Sequence, residues 1–248
     1  KRKAFIWWNF PVSDYVRDRL LLGAVYGNGT DIDDDISAFI SNPMEHAEAS
    51  KIALFSIADY AWNMDAYKSD ASWRRAVRYL MPGHAAALQV FASHNSDLGG
   101  NEHDFRREES EQIRPALERL LDAYCREGKR EVAAASAVTE ECERMIASAD
   151  LLLASDENPA LIKEITPWLM QFKLLGEYGR EVLCMLAAQC DGKKTELQTE
   201  ADAMRVADLS TGAVYCVADI KTAKKTRHAP APYTTSTVSY THLTLPTE

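Results

Sequence analysis

The chain has 248 residues, with 28 lysines plus arginines against 37 aspartates plus glutamates, a net charge of −9 and a pI near 5.2. That balance argues against a nucleic-acid partner or an anionic membrane surface and favours a neutral or cationic ligand. The longest apolar runs, such as Leu20-Leu21-Leu22 and Leu151-Leu152-Leu153, fall far short of the roughly 18–20 residues that cross a bilayer, so the chain reads as soluble. A chain of this length buries roughly 70–75% of its unfolded surface and needs no staples. Its five cysteines, Cys125, Cys142, Cys184, Cys190 and Cys216, are odd in number and contain no CxxC pair. Neither a disulfide framework nor a zinc knuckle is expected, and they read as buried thiols.

At the amino end, Lys1-Arg2-Lys3 leads straight into the apolar run Ala4 to Trp8 with no signal-peptide pattern, as if the chain began inside a fold. That run stops at Asn9-Phe10-Pro11, and a second, Ile36 to Ile40, stops at Ser41-Asn42-Pro43. Both are short, rich in β-branched or aromatic residues and ended by turn chemistry, which fits strands buried on both faces of a parallel sheet. The residues between them suffice for a crossover connection. Met44 to Trp62 then reads as a helix, with Glu45 and Glu48 near its positive end and Leu54, Ile57, Ala58 and Ala61 on one face. Strand, turn and helix in this order make the repeating unit of an α/β domain.

From about Arg106 the strand signal vanishes. Ile113, Leu117, Leu120, Leu121 and Tyr124 recur at helical spacing, with Pro115 starting or kinking the helix and Gly128 suited to its end. A second stripe runs from Val138 through Cys142, Met145 and Ala149 to Leu153. A third takes alternating steps of four and three: Leu161, Ile165, Trp168, Phe172, Leu175, Gly179, Val182 and Leu186. It predicts a helix packed along its length, kinked at Pro167 and closely approached at Gly179. The expected organisation is an α/β part at 1–105, a helical bundle at 106–228 and a disordered threonine-rich tail at 229–248. The last stretch of that tail, Ser239 to Thr247, looks like translated sequencing adapter.

In α/β folds ligands bind at the carboxyl ends of the strands, where loops converge. Trp7-Trp8-Asn9-Phe10-Pro11-Val12-Ser13-Asp14-Tyr15 gathers an aromatic wall, an amide and a carboxylate there, and Ser41-Asn42-Pro43 adds a second amide. An indole stacked on a ring, with Asn and Asp meeting hydroxyls, is a way to hold a sugar. On spacing alone the plainer reading is favoured, in which the tryptophans are core and Asn9, Asp14 and Asn42 shape turns.

The strings Ile6 to Tyr15, Ser41-Asn42-Pro43-Met44-Glu45-His46-Ala47-Glu48-Ala49-Ser50, His94 to Gly99, Arg106 to Ser110 and Glu164-Ile165-Thr166-Pro167-Trp168 carry a resemblance. They resemble the β-N-acetylglucosaminidases of glycoside hydrolase family 84, the bacterial O-GlcNAcase-like enzymes, over roughly residues 3 to 190. The resemblance implies the last part of an eight-stranded (β/α)8 TIM-like barrel followed by a helical bundle. It also implies an exo-acting, retaining hydrolysis of terminal β-linked N-acetylglucosamine, in which the substrate's acetamido oxygen attacks the anomeric carbon and forms an oxazoline. Two adjacent aspartates run that chemistry from an earlier barrel strand. By resemblance they precede Lys1, so no catalytic residue is expected here and the isolated chain should be inactive. The sugar-gripping part is retained: Trp7 is similar to the pocket-lining aromatic, Asn9 to the amide near the acetamido group, Asp14 to the carboxylate on the 4- and 6-hydroxyls, and Asn42 to a further hydroxyl partner. The implied partners are N-acetylglucosamine-bearing glycoconjugates, with no cofactor, and family analogy suggests a periplasmic or secreted setting.

Other motifs are weaker. Asp33-Asp34-Asp35 precedes a strand instead of ending one, so it reads as a solvated loop. Asp31, Asp33 and Asp35 have calcium-loop spacing, but Ile36 and Asn42 stand where such a loop needs glycine and glutamate. His46, His84, His94 and His103 lack paired-ligand spacing and read as surface or cap residues, so no metal is expected. Gly99-Gly100 reads as an ordinary turn. The competing function is a non-catalytic carbohydrate- or protein-binding module built on the helical bundle.

Overall fold

In a computed structural model of the chain, residues 2–96 and 109–192 are described. The boundary near Arg106, Gly99-Gly100, His103, Cys216 and the tail at 229–248 lie outside them. The chain is an α-rich α/β structure with a two-stranded parallel sheet and, among the described residues, six helices.

Strand β1 (Ala4–Pro11) pairs with β2 (Ile36–Asn42), with Trp7 opposite Ile40 and Pro11 opposite Asn42. Both strands run through the residues read as stops, so Asn9 and Asn42 are strand residues. The expectation of burial on both faces is corrected. Successive side chains point to opposite faces. Trp8 and Phe39 turn toward helix α1 (Ala47–Trp62) and pack with Phe10 and Tyr60, while Phe5, Trp7 and Ile40 on the other face are exposed.

The connection from β1 to β2 contains no helix, yet Leu20, Leu21, Leu22, Ala24 and Val25 are buried in it. Buried irregular backbone needs partners for its polar groups. Leu22 N donates to Asn95 O at 2.8 Å, Val25 N to Ser56 Oγ at 3.0 Å, and Leu21 N to Met44 Sδ at 3.2 Å. Trp73 Nε1 donates to Leu22 O and the Tyr67 hydroxyl to Val25 O, both at 2.8 Å. Ser56 belongs to α1, which buries a different face from the expected one. Ala49, Ile52, Ala53, Ser56, Ile57 and Tyr60 are buried, and Ala58 and Ala61 are exposed.

Helices α2 (Ser69–Leu80) and α3 (Ala85–Ser93) follow, then α4 (Arg114–Glu127), α5 (Val132–Leu153) and α6 (Pro159–Cys190). Pro115 lies in the first turn of α4, and Gly128 closes it in the left-handed conformation at φ 64°. Helix α6 runs unbroken through Pro167. Its buried side departs from the expected stripe: Leu175 is 60% and Val182 41% exposed. A straight helix drifts about 20° per seven residues against a strict 4,3 repeat. Beyond Phe172 the contact takes in Gly176, while Gly179 makes the close approach expected of it: an added Cβ would meet Cys142 O at 2.9 Å and Cys142 Sγ at 2.7 Å, respectively. The cysteine expectation also needs correction: Cys142 is buried, but Cys125 and Cys184 lie on exposed helix faces and Cys190 is half-buried.

One apolar core joins Ile52, Leu88 and Phe91 to Leu152, Leu161, Ile165, Leu169 and Phe172, so it is continuous across the two expected parts. A smaller cluster gathers Ala116, Leu120, Ala134, Ala135, Val138 and Cys142. Three glutamates of the helical part reach the α/β part. Glu164 Oε2 accepts from Glu48 N at 2.8 Å and Ala49 N at 3.1 Å in the first turn of α1. Glu157 accepts from Gly83 N, His84 N and the His84 ring ahead of α3. Glu141 holds His94 at the end of α3. The first amides of a helix have no intrahelical acceptor and favour negative charge, so the first two contacts are helix caps supplied from a distance.

Candidate functional site

The carboxyl ends of β1 and β2 lie side by side, because parallel pairing places Pro11 opposite Asn42. Alternation along β1 puts Trp7 and Asn9 on the face away from α1. Trp7 is 64% exposed, and its Nε1–H donates to Asn9 Oδ1 at 2.8 Å. Asn42 Nδ2 donates to the same oxygen at 3.3 Å. The Asn9 carbonyl is thereby occupied twice, and the chemistry the pair still offers is the Asn9 NH2 group as a donor and the Asn42 carbonyl oxygen as an acceptor. Ser41 Oγ donates to Phe10 O at 2.7 Å and locks the two strand ends together.

Three of the four sequence-read residues, Trp7, Asn9 and Asn42, are thus joined in one hydrogen-bonded set. Asp14 stands three residues beyond β1. Its side chain is exposed, and its backbone oxygen accepts from Arg17 Nε at 3.3 Å. Asp33, Asp34 and Asp35 are exposed at the opposite end of the sheet, ahead of β2.

The described histidines occupy cap positions: His46 before α1, His84 before α3 and His94 after it. His94 is nearly buried. Its Nε2 lies 2.7 Å from Glu141 Oε1 and its Nδ1 2.7 Å from Ser110 Oγ. A carboxylate only accepts, so Nε2 carries a proton. The His94 hydrogen bond, assisted by Arg144, holds the Glu141 carboxyl below its ordinary range against the opposing effect of burial. Burial pushes the Tyr67 hydroxyl up to about 12. Among the described residues no three His, Cys, Asp or Glu side chains gather as a metal site.

Sequence reasoning missed a cleft of about 770 Å3 lined by Asp18, Leu20, His94, Trp168, Phe172 and Tyr178. Trp7, Asn9, Asp14 and Asn42 do not line it. It lies between the β1–β2 connection and α6, where no local pattern could have revealed it.

Two family models match the chain: beta-N-acetylglucosaminidase over residues 1–93, and the bacterial GH84 post-catalytic domain over residues 109–218. Among solved structures, CpGH84B is similar at 26% identity with a TM-score of 0.77, covering 85% of this chain and 36% of that one. CpGH84D is similar at 28% identity and 0.72, covering 86% and 35%. A mutant of the Thermobaculum terrenum O-GlcNAc hydrolase shares the fold at 22% identity and 0.71, covering 86% and 44%. The chain belongs to glycoside hydrolase family 84. It spans little more than a third of the length of the first two relatives.

Proposed function

We propose that this chain forms the last part of a (β/α)8 barrel and the adjoining helices of an exo-acting, retaining β-N-acetylglucosaminidase. The division of labour follows 1–105 for the barrel part and 106–228 for the helical part. The observation that carries the reading is the linked set Trp7, Asn9 and Asn42 at the carboxyl ends of two parallel strands, on the face opposite α1. Exposed Phe5, Trp7 and Ile40 on that face suit the interior of a closed barrel.

In this reading Trp7 lines the sugar pocket, and Asn9 meets the acetamido group as it closes on the anomeric carbon. Asn42 and Asp14 hold ring hydroxyls. The acetamido oxygen bonds to the anomeric carbon as the glycosidic C–O bond breaks, and water later opens the oxazoline with net retention. One aspartate polarises the acetamido group. A second protonates the leaving oxygen and then takes a proton from water. Both belong to an earlier strand of the full-length enzyme, so the 248-residue chain by itself is expected to leave an aryl β-N-acetylglucosaminide intact. Terminal N-acetylglucosamine on a glycoconjugate is the substrate class.

Asp14→Ala in the full-length enzyme tests the reading. Hydrogen bonds to a charged group contribute about 1.5–3 kcal/mol each, so losing two should lower kcat/KM on the order of 10²-fold or more. The 4-hydroxyl separates gluco from galacto sugars, so the N-acetylglucosaminide should suffer more than the N-acetylgalactosaminide. An unchanged ratio of the two kcat/KM values would reduce Asp14 to a turn former.

A further inference from the structure

The string Glu164-Ile165-Thr166-Pro167-Trp168 is part of the family likeness, yet none of it lies in the sugar-gripping set. Two of its members, Glu164 and Trp168, reach the loops that carry that set. Glu164 caps α1 through Glu48 N and Ala49 N, and α1 opens five residues after Asn42. His46, the residue at the N-cap position, supplies no side-chain cap of its own. Trp168, one turn along α6, sets its ring edge-on to His46 with centroids 4.9 Å apart. Its Nε1 donates to Asp18 O at 2.8 Å. Asp18 lies four residues beyond Asp14, on the loop that leaves β1. Met44 ties the two loops to each other, its Sδ accepting from Leu21 N.

We propose that Glu164 and Trp168 are positioning residues for the sugar site. Helix α6 holds the loop after β2 by capping its helix, and the loop after β1 by one indole hydrogen bond, so that Asn42 and Asp14 keep the separation one sugar ring requires. The proposal rests on the reading that Asn42 and Asp14 grip a sugar. Asn42 and Asp14 hold ring hydroxyls away from the reacting bond, so moving them weakens ground-state and transition-state binding alike and is felt in KM more than in kcat.

The test compares Glu164→Ala, Glu164→Gln and Trp168→Phe in the full-length enzyme with an aryl β-N-acetylglucosaminide. Glu164→Ala and Trp168→Phe should raise KM about tenfold with kcat changed less than about threefold. Glu164→Gln, whose amide oxygen still accepts, should recover most of the affinity. Glu157→Ala removes the comparable cap from α3 and should leave KM at the wild-type value. Amide hydrogen exchange at Glu48 and Ala49, faster in Glu164→Ala than in wild type, reads the loop without any activity. A wild-type KM in both variants, or an equal rise in Glu157→Ala, would overturn the proposal. A wild-type enzyme inert toward the glucosaminide would instead sink the functional reading, and slow exchange in Glu164→Ala would still reject the cap.

Discussion

Trp7 and Trp8 are neighbours in sequence and opposite in placement. Strand alternation sends Trp8 into an aromatic cluster with Phe39 and Tyr60 and leaves Trp7 on the far face beside Asn9. His94 is equally dependent on its surroundings, since its two ring nitrogens join Ser110, which opens the way into α4, to Glu141 on α5. The Glu141 carboxyl titrates below its unfolded value near 4.5. Its contribution to stability is therefore fully present above that pH and is lost as pH falls through the lowered folded value. Glu141→Gln should flatten the loss of stability on acidification below about pH 5, measured by urea unfolding at a series of pH values. An acid limb identical to wild type would mean that the His94–Glu141 pair adds nothing.

At the scale of elements, the informative failures are faces. The expected stripe of α1, Leu54, Ile57, Ala58 and Ala61, omitted Ile52, Ala53 and Ser56, all of them buried, and Ser56 receives Val25 N. On α6 the repeat held through Phe172 and again at Gly179, where the close approach falls as expected, and helical drift turned Leu175 and Val182 outward and brought in Gly176. Gly176→Ala would drive a Cβ to 2.9 Å from the Cys142 backbone oxygen and 3.0 Å from the Ile146 side chain, and the first of these is part of the α5 backbone and cannot rotate away. Overpacking of this kind costs about 1–3 kcal/mol, partly offset by about 1 kcal/mol of helix propensity. Gly179→Ala meets only the Cys142 sulfur. Its penalty should disappear in a Cys142→Ala background, whereas that of Gly176→Ala should persist. Equal rescue of both in a double-mutant cycle would show that the α5–α6 contact is not set by these glycines.

Across the whole molecule, the major core is assembled from both parts. Phe172 packs its ring against Phe91, and Leu161, Ile165 and Leu169 are buried in the same cluster as Ile52 and Leu88. Residues 109–192 alone would keep the small cluster around Leu120 and Cys142 but expose the inner side of α6. We expect that piece to be helical by circular dichroism, to bind a hydrophobic dye and to unfold over a broad range, while a chain ending at 192 melts in one transition. A sharp transition in the isolated piece would establish the helices as an independent unit.

The sequence by itself determined what depends on neighbouring residues: two short strands, the helix opening near Pro115, the stop at Gly128 and the repeat entering α6. It also carried the long strings that identify the family. These are legible because turn chemistry and periodicity act within a few bonds. Only the tertiary structure decided which tryptophan faces outward, why Leu20 to Val25 is buried without a helix, and that Trp7 and Asn42 both donate to the Asn9 side-chain oxygen. It also assigned Glu164 as the cap of a helix 116 positions earlier. Such pairings depend on strand register and on two distant elements meeting, and a single sequence contains no local signal of either.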